Sequence, residues 1–230
     1  MRHMKIRALF LLIAAVGLLS PAGLVSLAEE PTTPTSPPVF YKEVPAALQQ
    51  EIAAIATRIS EQSPLTAEEA QRAAELLASL DLRGSVVFDQ SRPPVMAFFR
   101  CLGIRAVPLL AEELTAQDDE RRLKAERALG FLCKPRERRD EAYEQTERAL
   151  LVLSERSLLD RSPSLRRAAL GTVGSTAWTA RRDTAAWERA VRAIWSAVED
   201  PEESIGSLAT EYLIQLGEVP RPEGYDFIWD

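Results

Sequence analysis

The chain has 230 residues, of which 46% are hydrophobic, and this is enough for one domain with a sizeable core. Its formal net charge of −6 disfavours nucleic acid or an anionic membrane as the main partner. The single histidine, His3, lies in the basic N-terminal segment, so the rest of the chain has no imidazole for catalysis or for most zinc sites.

Residues 1–28 have the pattern of a secretory signal peptide. A basic start is followed by an apolar run over residues 8–19, and the small residues Ser26 and Ala28 stand where signal peptidase reads the chain. The apolar run is too short to cross a bilayer comfortably. We therefore predict cleavage after Ala28 and export of a soluble protein, periplasmic or secreted; an uncleaved N-terminal anchor is the alternative.

The predicted leader and the first two helices follow. Residues 29–43 are rich in proline and threonine, cannot bury a core, and are predicted to be disordered or polyproline-like. A stripe of leucine and isoleucine at helical spacing predicts a helix from about Val44 to the residue before Pro64. Thr66 and Glu69 form a capping box, which predicts the start of a second helix.

Residues 104–133 predict a pair of short helices joined by an acidic turn. Pro108 stands in the first turn of one helix, where its missing N–H leaves no hydrogen bond unmade. Asp118 and Asp119 offer carboxylates that would cap the next helix. Neither helix is apolar all round, so the pair needs similar neighbours to stack on.

The outline of this pair recurs downstream. Asp119, Asp160 and Asp200 lie 41 and 40 positions apart. Nine and thirteen residues after each aspartate come a small and a larger apolar residue, which are Ala128 and Leu132, Ala169 and Val173, and Ala209 and Leu213. A period near 40 with two helices per unit falls in the range of HEAT and armadillo repeats.

The residues RCLGIRAVPLLAEEL, the acidic turn and AERALGFL resemble HEAT-type repeats directly. The match is good over 95–133, fair over 145–175 and weak over 184–217, where Ile205 and Gly206 replace the usual basic residue. The resemblance implies an all-α fold, a short α-α superhelix (solenoid) of about four stacked antiparallel helical hairpins over residues 44–217. A non-repetitive helical bundle is the alternative.

Four details of the C-terminal third complete the predicted fold. The helix that begins at Ser162-Pro163 is expected to loosen at Gly174, with residues 175–182 (STAWTARR) as a linker. Asp183 is expected to cap an amphipathic helix that turns Trp195 inward. The last helix is predicted to stop at Gly217.

The sequence lacks the common catalytic and metal-binding motifs. The sequence contains no phosphate-binding glycine loop, no GxSxG motif and no EF-hand spacing. Its adjacent carboxylate pairs, Glu112-Glu113, Asp118-Asp119 and Glu202-Glu203, stand at turns or helix starts, where capping explains them. We therefore predict no catalytic residues, no cofactor and no metal.

The two cysteines, Cys101 and Cys133, would lie at the ends of neighbouring helices. In an exported protein they are candidates for a disulfide bond. Their positions are offset by about one helical turn in the repeat register, so two buried free thiols are the alternative.

Two surfaces are candidates for binding a partner. The first is a basic run that includes Arg121, Arg122, Arg136 and Arg139, and such runs are either solvated faces or, less commonly, anion sites. The second is the tail, residues 218–230, with Tyr225, Phe227 and Trp229. These aromatic side chains would either cap the last repeat or form a protruding peptide that binds another protein.

The sequence thus predicts an exported, non-enzymatic scaffold that binds another protein through its helical-repeat surface. The basis is associational, because repeat solenoids usually bind partners and this one lacks catalytic groups. HEAT-like arrays also occur in bilin lyases, so a lyase-like enzyme subunit is one alternative, and a structural module of the envelope is another. Exposed aromatic residues on the binding face would favour a scaffold, whereas a buried cluster of carboxylates would favour an enzyme.

Overall fold

Helices account for all the secondary structure in the residues that the computed structural model describes, 42–82, 93–132, 141–182 and 184–220. The α-helices in these ranges are α1 (Ala46–Gln62), α2 (Ala67–Ser79), α3 (Pro93–Leu102), α4 (Val107–Glu113), α5 (Asp119–Leu132), α6 (Glu141–Leu158), α7 (Pro163–Thr179), α8 (Ala185–Ala197) and α9 (Glu203–Leu216). A 3-10 turn, Gly103–Ala106, joins α3 to α4 without a break. The predicted all-α class is confirmed.

Two predicted helix ends are confirmed by their local chemistry. The Thr66 hydroxyl accepts the N–H of Glu69 at 3.2 Å, and the Glu69 carboxylate accepts the N–H of Thr66 at 2.9 Å. Arg105 also donates to Glu69, and this hydrogen bond is the main reason why the pKa of Glu69 falls from 4.5 to about 2. Gly217 ends α9 in the left-handed conformation, with φ of 78°.

The predicted linker after Gly174 is wrong, because α7 runs on to Thr179. A Cβ at Gly174 would lie 2.6 Å from Cζ of Tyr212. This glycine therefore allows a ring of α9 to approach closely, and it does not end the helix.

The predicted cap and orientation of α8 also differ from the structure. Thr184 is the N-cap, with its hydroxyl accepting the N–H of Trp187 at 3.3 Å, and Asp183 lies outside the described residues. Val191 and Ile194 are buried as expected, but Trp195 is 46% exposed. The apolar stripe of α8 is therefore narrower than its sequence indicates.

Most helices pack against neighbours that are close in sequence. Consecutive helices pack together, α4 on α5, α6 on α7, α7 on α8 and α8 on α9, and a second series of contacts links α2, α5, α7 and α9 in that order. The first helix is the exception, because α1 packs mainly on α4 and α6 rather than on α2. Glu51 of α1 accepts hydrogen bonds from Arg148 of α6 at 2.9 Å and from Arg189 of α8 at 3.0 Å.

Among the described residues, one helical stretch is long enough and apolar enough to cross a membrane by length and composition, Pro94–Glu113. Its side chains Phe99, Leu102 and Leu110 are buried in the main hydrophobic cluster. A core helix of a soluble protein meets the same criteria.

Two buried arginines connect successive helix pairs in the same way. Arg122 is the fourth residue of α5 and Arg166 the fourth residue of α7. Arg122 donates to both carboxylate oxygens of Asp160, at 3.0 and 3.1 Å, and Arg166 to both of Asp200, at 2.7 and 2.9 Å. Each arginine also donates to the carbonyl oxygens five and six residues before it, at 2.8 to 3.1 Å. In α9 the fourth residue is Gly206.

These contacts correct the predicted register of the first unit. Asp118, Asp160 and Asp200 are equivalent, because each accepts the N–H of the residue two positions later. Counted from the fourth helix residue, the buried alanines Ala125, Ala169 and Ala209 then align. The predicted Asp119 and Ala128 are displaced by one and three residues, since Asp118 stands four positions before Arg122, whereas Asp160 stands six positions before Arg166.

A buried glutamate lies where α5, α6 and α7 meet. Glu126 has no exposed surface, and its Oε1 accepts the hydroxyl of Ser154 at 2.7 Å, whereas its Oε2 has no hydrogen-bond partner among the residues that the structure describes. Ser157 and Thr172 are also nearby, but both hydroxyls donate to carbonyl oxygens within their own helices. Burial raises the pKa of Glu126, and the hydroxyl groups only partly oppose this effect.

We expect Arg166→Met to lower the free energy of unfolding by about 3 kcal/mol, because it leaves the buried Asp200 carboxylate unpaired. Adding Asp200→Asn should restore part of this loss, since the amide oxygen keeps the cap to Glu202 while removing the charge. Urea unfolding followed by circular dichroism measures both changes. The matched control is Arg167→Met, an exposed arginine on the same helix, and an equal loss there would contradict the assigned role.

Two glycine substitutions should change stability in opposite directions. Gly171→Ala in α7 meets no atom within 4 Å, so the better helix propensity of alanine should stabilise the protein by about 0.5 to 1 kcal/mol. A Cβ at Gly206 would lie 2.7 Å from the carbonyl oxygen of Val198, so Gly206→Ala should destabilise it by about 1 to 3 kcal/mol. Thermal and urea unfolding of the two variants check this pair, and stabilisation by both would show that the α8–α9 contact yields easily.

Glu126→Gln should become more stabilising, relative to the wild type, as the pH rises. Below pH 4.5 the folded and unfolded wild-type chains both hold the proton on residue 126, and above it the unfolded chain loses the proton first. The unfolding free energy of the wild type therefore falls by up to about 1.4 kcal/mol per pH unit until the pH exceeds the raised pKa of Glu126. The difference in unfolding free energy between variant and wild type, measured from pH 4 to 8, should increase; a flat difference would contradict the raised pKa.

Candidate functional site

The predicted basic face divides into two kinds of side chain. Arg121 is exposed and donates to the Glu113 carboxylate at 2.7 and 2.9 Å. Arg122 is 5% exposed, and its side chain lies in the contact between helix pairs instead of on the outer surface. Arg136 and Arg139 lie outside the described residues. The structure therefore gives Arg122 a role in the fold that the sequence pattern does not indicate.

The other predicted site residues lie partly outside the described ranges. Cys101 is exposed on α3, and Cys133 is not among the described residues, so the disulfide stays a prediction. The aromatic residues of the tail, Tyr225, Phe227 and Trp229, also lie outside these ranges. Their assignment as a cap or as a binding peptide stays a prediction too.

A cavity of about 590 Å³ opens between the segment before α1, the α4–α5 loop and the end of α6. Cationic side chains predominate among its charged residues, with Lys42, Arg122, Arg156 and Arg161 against Glu43 and Asp160. Val44, Ala116, Gln117 and Leu159 complete the lining. The lining of this cavity therefore carries an excess of positive charge.

Arg156 is the residue in this cavity that sequence reasoning missed. It is partly buried, and within the described part of the chain its guanidinium makes no hydrogen bond or ion pair. Burial lowers the pKa of Arg156, and the nearby Asp160 and Glu126 only partly oppose this effect. An arginine on a long amphipathic helix looks like any solvated side chain, so nothing in the local sequence marks it.

A second, apolar notch of about 280 Å³ lies between α7 and α9. It is lined by Gly174, Ser175, Trp178, Thr179, Tyr212, Gln215 and Leu216. The indole of Trp178 is 55% exposed, whereas the Tyr212 ring lies against Gly174 and burial raises the pKa of its hydroxyl. Sequence reasoning placed Trp178 in a linker; its position four residues after Gly174, with no proline between them, is the signal that the helix continues.

Three acidic side chains are withdrawn from solvent within the described part of the chain. Glu126, Glu147 and Glu211 are buried. No group of three or more His, Cys, Asp or Glu side chains within the described ranges is placed to hold a metal ion. Within the described ranges, the cationic cavity and the apolar notch beside Trp178 have features that suit a ligand.

No family model, curated protein sequence or solved structure matches this chain. The two candidate surfaces are therefore interpreted from their geometry and chemistry alone.

Proposed function

We propose that the protein is a short helical-repeat scaffold that binds another protein in an extracytoplasmic compartment and does not itself catalyse a reaction. The observation that carries this proposal is the exposed Trp178 at the notch between α7 and α9. The predicted signal peptide supports the location.

The repeat part of the proposal rests on the two equivalent arginine contacts. Arg122 and Arg166 occupy the same helix position and bind the aspartate of the next turn with the same pattern of donors. Two successive helix pairs therefore use one geometry, as stacked units of a repeat do. This supports a short α-α superhelix related to HEAT repeats over a non-repetitive bundle, with α1 as an added helix.

The binding part rests on the aromatic notch. An exposed indole beside a recess is a common anchor of protein interfaces, where tryptophan and tyrosine supply much of the binding energy. The helices α7 and α9 belong to the series α2, α5, α7 and α9, so the notch lies in the groove between two neighbours of one layer. A groove of this kind would accept a side chain or an extended peptide from the partner.

A lyase-like subunit and a structural envelope module are the alternatives. The described residues provide no specific observation in favour of either. A catalytic acid needs access to a substrate, and Glu126, the fully buried glutamate, has no exposed surface. The binding scaffold is therefore the function that the geometry supports best.

We expect Trp178→Ala to weaken capture of the partner by about thirtyfold, the loss of a typical interface anchor of about 2 kcal/mol. The measurement is an affinity pull-down of the purified chain from its native extracytoplasmic fraction, with quantitative mass spectrometry, followed by a binding titration with the recovered protein. Trp195→Ala is the matched control, because Trp195 is also exposed but lies on α8 outside the notch.

Circular dichroism should show both variants folded. Equal capture by the Trp178 variant and the wild type would place the interface elsewhere. An eluate without a stoichiometric protein would count against the scaffold itself.

A further inference from the structure

Arg156 has a full set of hydrogen-bond donors and no acceptor for them among the described residues. Its side chain lines the 590 Å³ cavity, where it is partly withdrawn from water. Taking a cation out of water is unfavourable unless an anion or hydrogen-bond acceptors offset the loss of hydration. The five N–H groups of the guanidinium therefore need a partner that those residues do not supply.

The neighbouring Arg122 has no hydrogen-bond donor left for a bound anion. Its Nε and Nη2 donate to Asp160, Nη2 also donates to Asp119 at 2.6 Å, and Nη1 donates to the carbonyl oxygens of Ala116 and Gln117. All five of its donors are used. Arg122 therefore contributes positive charge to the cavity wall but no free donors, unlike Arg156.

The nearby carboxylates of Asp160 and Glu126 make no direct bond to Arg156. Both oxygens of Asp160 accept hydrogen bonds from Arg122, and one of them also accepts the N–H of Ser162 at 2.9 Å. Glu126 is completely buried and bonded to Ser154. Each of these groups influences Arg156 through space without bonding to it.

We propose that this cavity binds a small molecule bearing an oxyanion, a phosphate or a carboxylate, with Arg156 as its main ligand. A guanidinium binds two oxygens of such a group in parallel, which a single point charge cannot do. Arg161 stands at the same cavity with a single bond from its Nη2, to Asp119 at 3.1 Å, and adds a second source of donors. This site is separate from the aromatic notch and does not depend on the proposed function.

The size of the cavity indicates what the oxyanion is attached to. A volume of about 590 Å³ lies within the range of about 300 to 1,000 Å³ that is usual for small-molecule sites. It is much larger than one phosphate ion needs. Val44, Ala116 and Leu159 give the lining an apolar part. The ligand therefore combines an oxyanion with an organic body.

Isothermal titration calorimetry of the purified chain tests the proposal with three probes, inorganic phosphate, pyrophosphate and citrate, at constant ionic strength. We expect saturable 1:1 binding of at least one probe. Arg156→Gln should weaken it at least tenfold, and Arg156→Lys should weaken it less, because the lysine keeps the charge but loses the paired donors. Stronger binding of pyrophosphate would identify a phosphate-bearing ligand, and stronger binding of citrate a carboxylate-bearing one.

The matched control is Arg192→Gln, which removes a highly exposed arginine on α8 away from the cavity. Its affinity for the probes should equal that of the wild type. The proposal is overturned if no probe gives saturable binding at millimolar concentration, or if Arg156→Gln binds as tightly as the wild type. Circular dichroism of each variant confirms that a lost affinity is not a lost fold.

Discussion

The buried pairing of Arg122 with Asp160 and of Arg166 with Asp200 is the interaction on which the arrangement of helices depends. Each arginine leaves its helix near the N-terminal end and binds the turn before the next equivalent helix, so one side chain fixes two helix pairs at once. The paired hydrogen bonds are directional and require each guanidinium N–H to face its acceptor, whereas the leucine and alanine contacts around them tolerate shifts. The charges thus set the register, and the apolar core supplies most of the stability.

The same pairing shapes the cationic cavity. Because Arg122 occupies both oxygens of Asp160, this neighbouring carboxylate is already bonded and does not pair with Arg156. Arg156 is left beside it as a consequence of how the helices are joined. The aromatic notch arises from a different feature, the missing side chain at Gly174, which admits the Tyr212 ring between α7 and α9. The cationic cavity therefore follows from the pairing of Arg122, and the aromatic notch follows from the glycine at position 174.

Local signals in the sequence predict the helices well and their long-range contacts poorly. The capping box at Thr66 and the stop at Gly217 act within a few residues, so pattern alone finds them. Gly174 looks like a helix breaker in the sequence. The side chain that requires a glycine there is the ring of Tyr212, which lies 38 residues later in the chain and is not a local signal. The local sequence does not identify Arg156 as a site residue either, since the cavity around it is formed by the segment before α1 and the α4–α5 loop. The register of the first unit was predicted wrongly for a similar reason. The capping aspartate lies two residues nearer to the buried arginine in α5 than in α7, and the spacing of aspartates does not show this difference.

The position of α1 has a consequence for how the chain reaches its fold. In a simple linear array each unit touches only its neighbours, so folding can begin anywhere and spread. Here Glu51 is bonded to Arg189, a contact that spans 138 positions. Because α1 is synthesised before α6 and α8, it cannot complete its contacts until both of these helices have been made. Closing so long a loop is slow, and it joins the early and late helices into one cooperative transition instead of a series of independent ones.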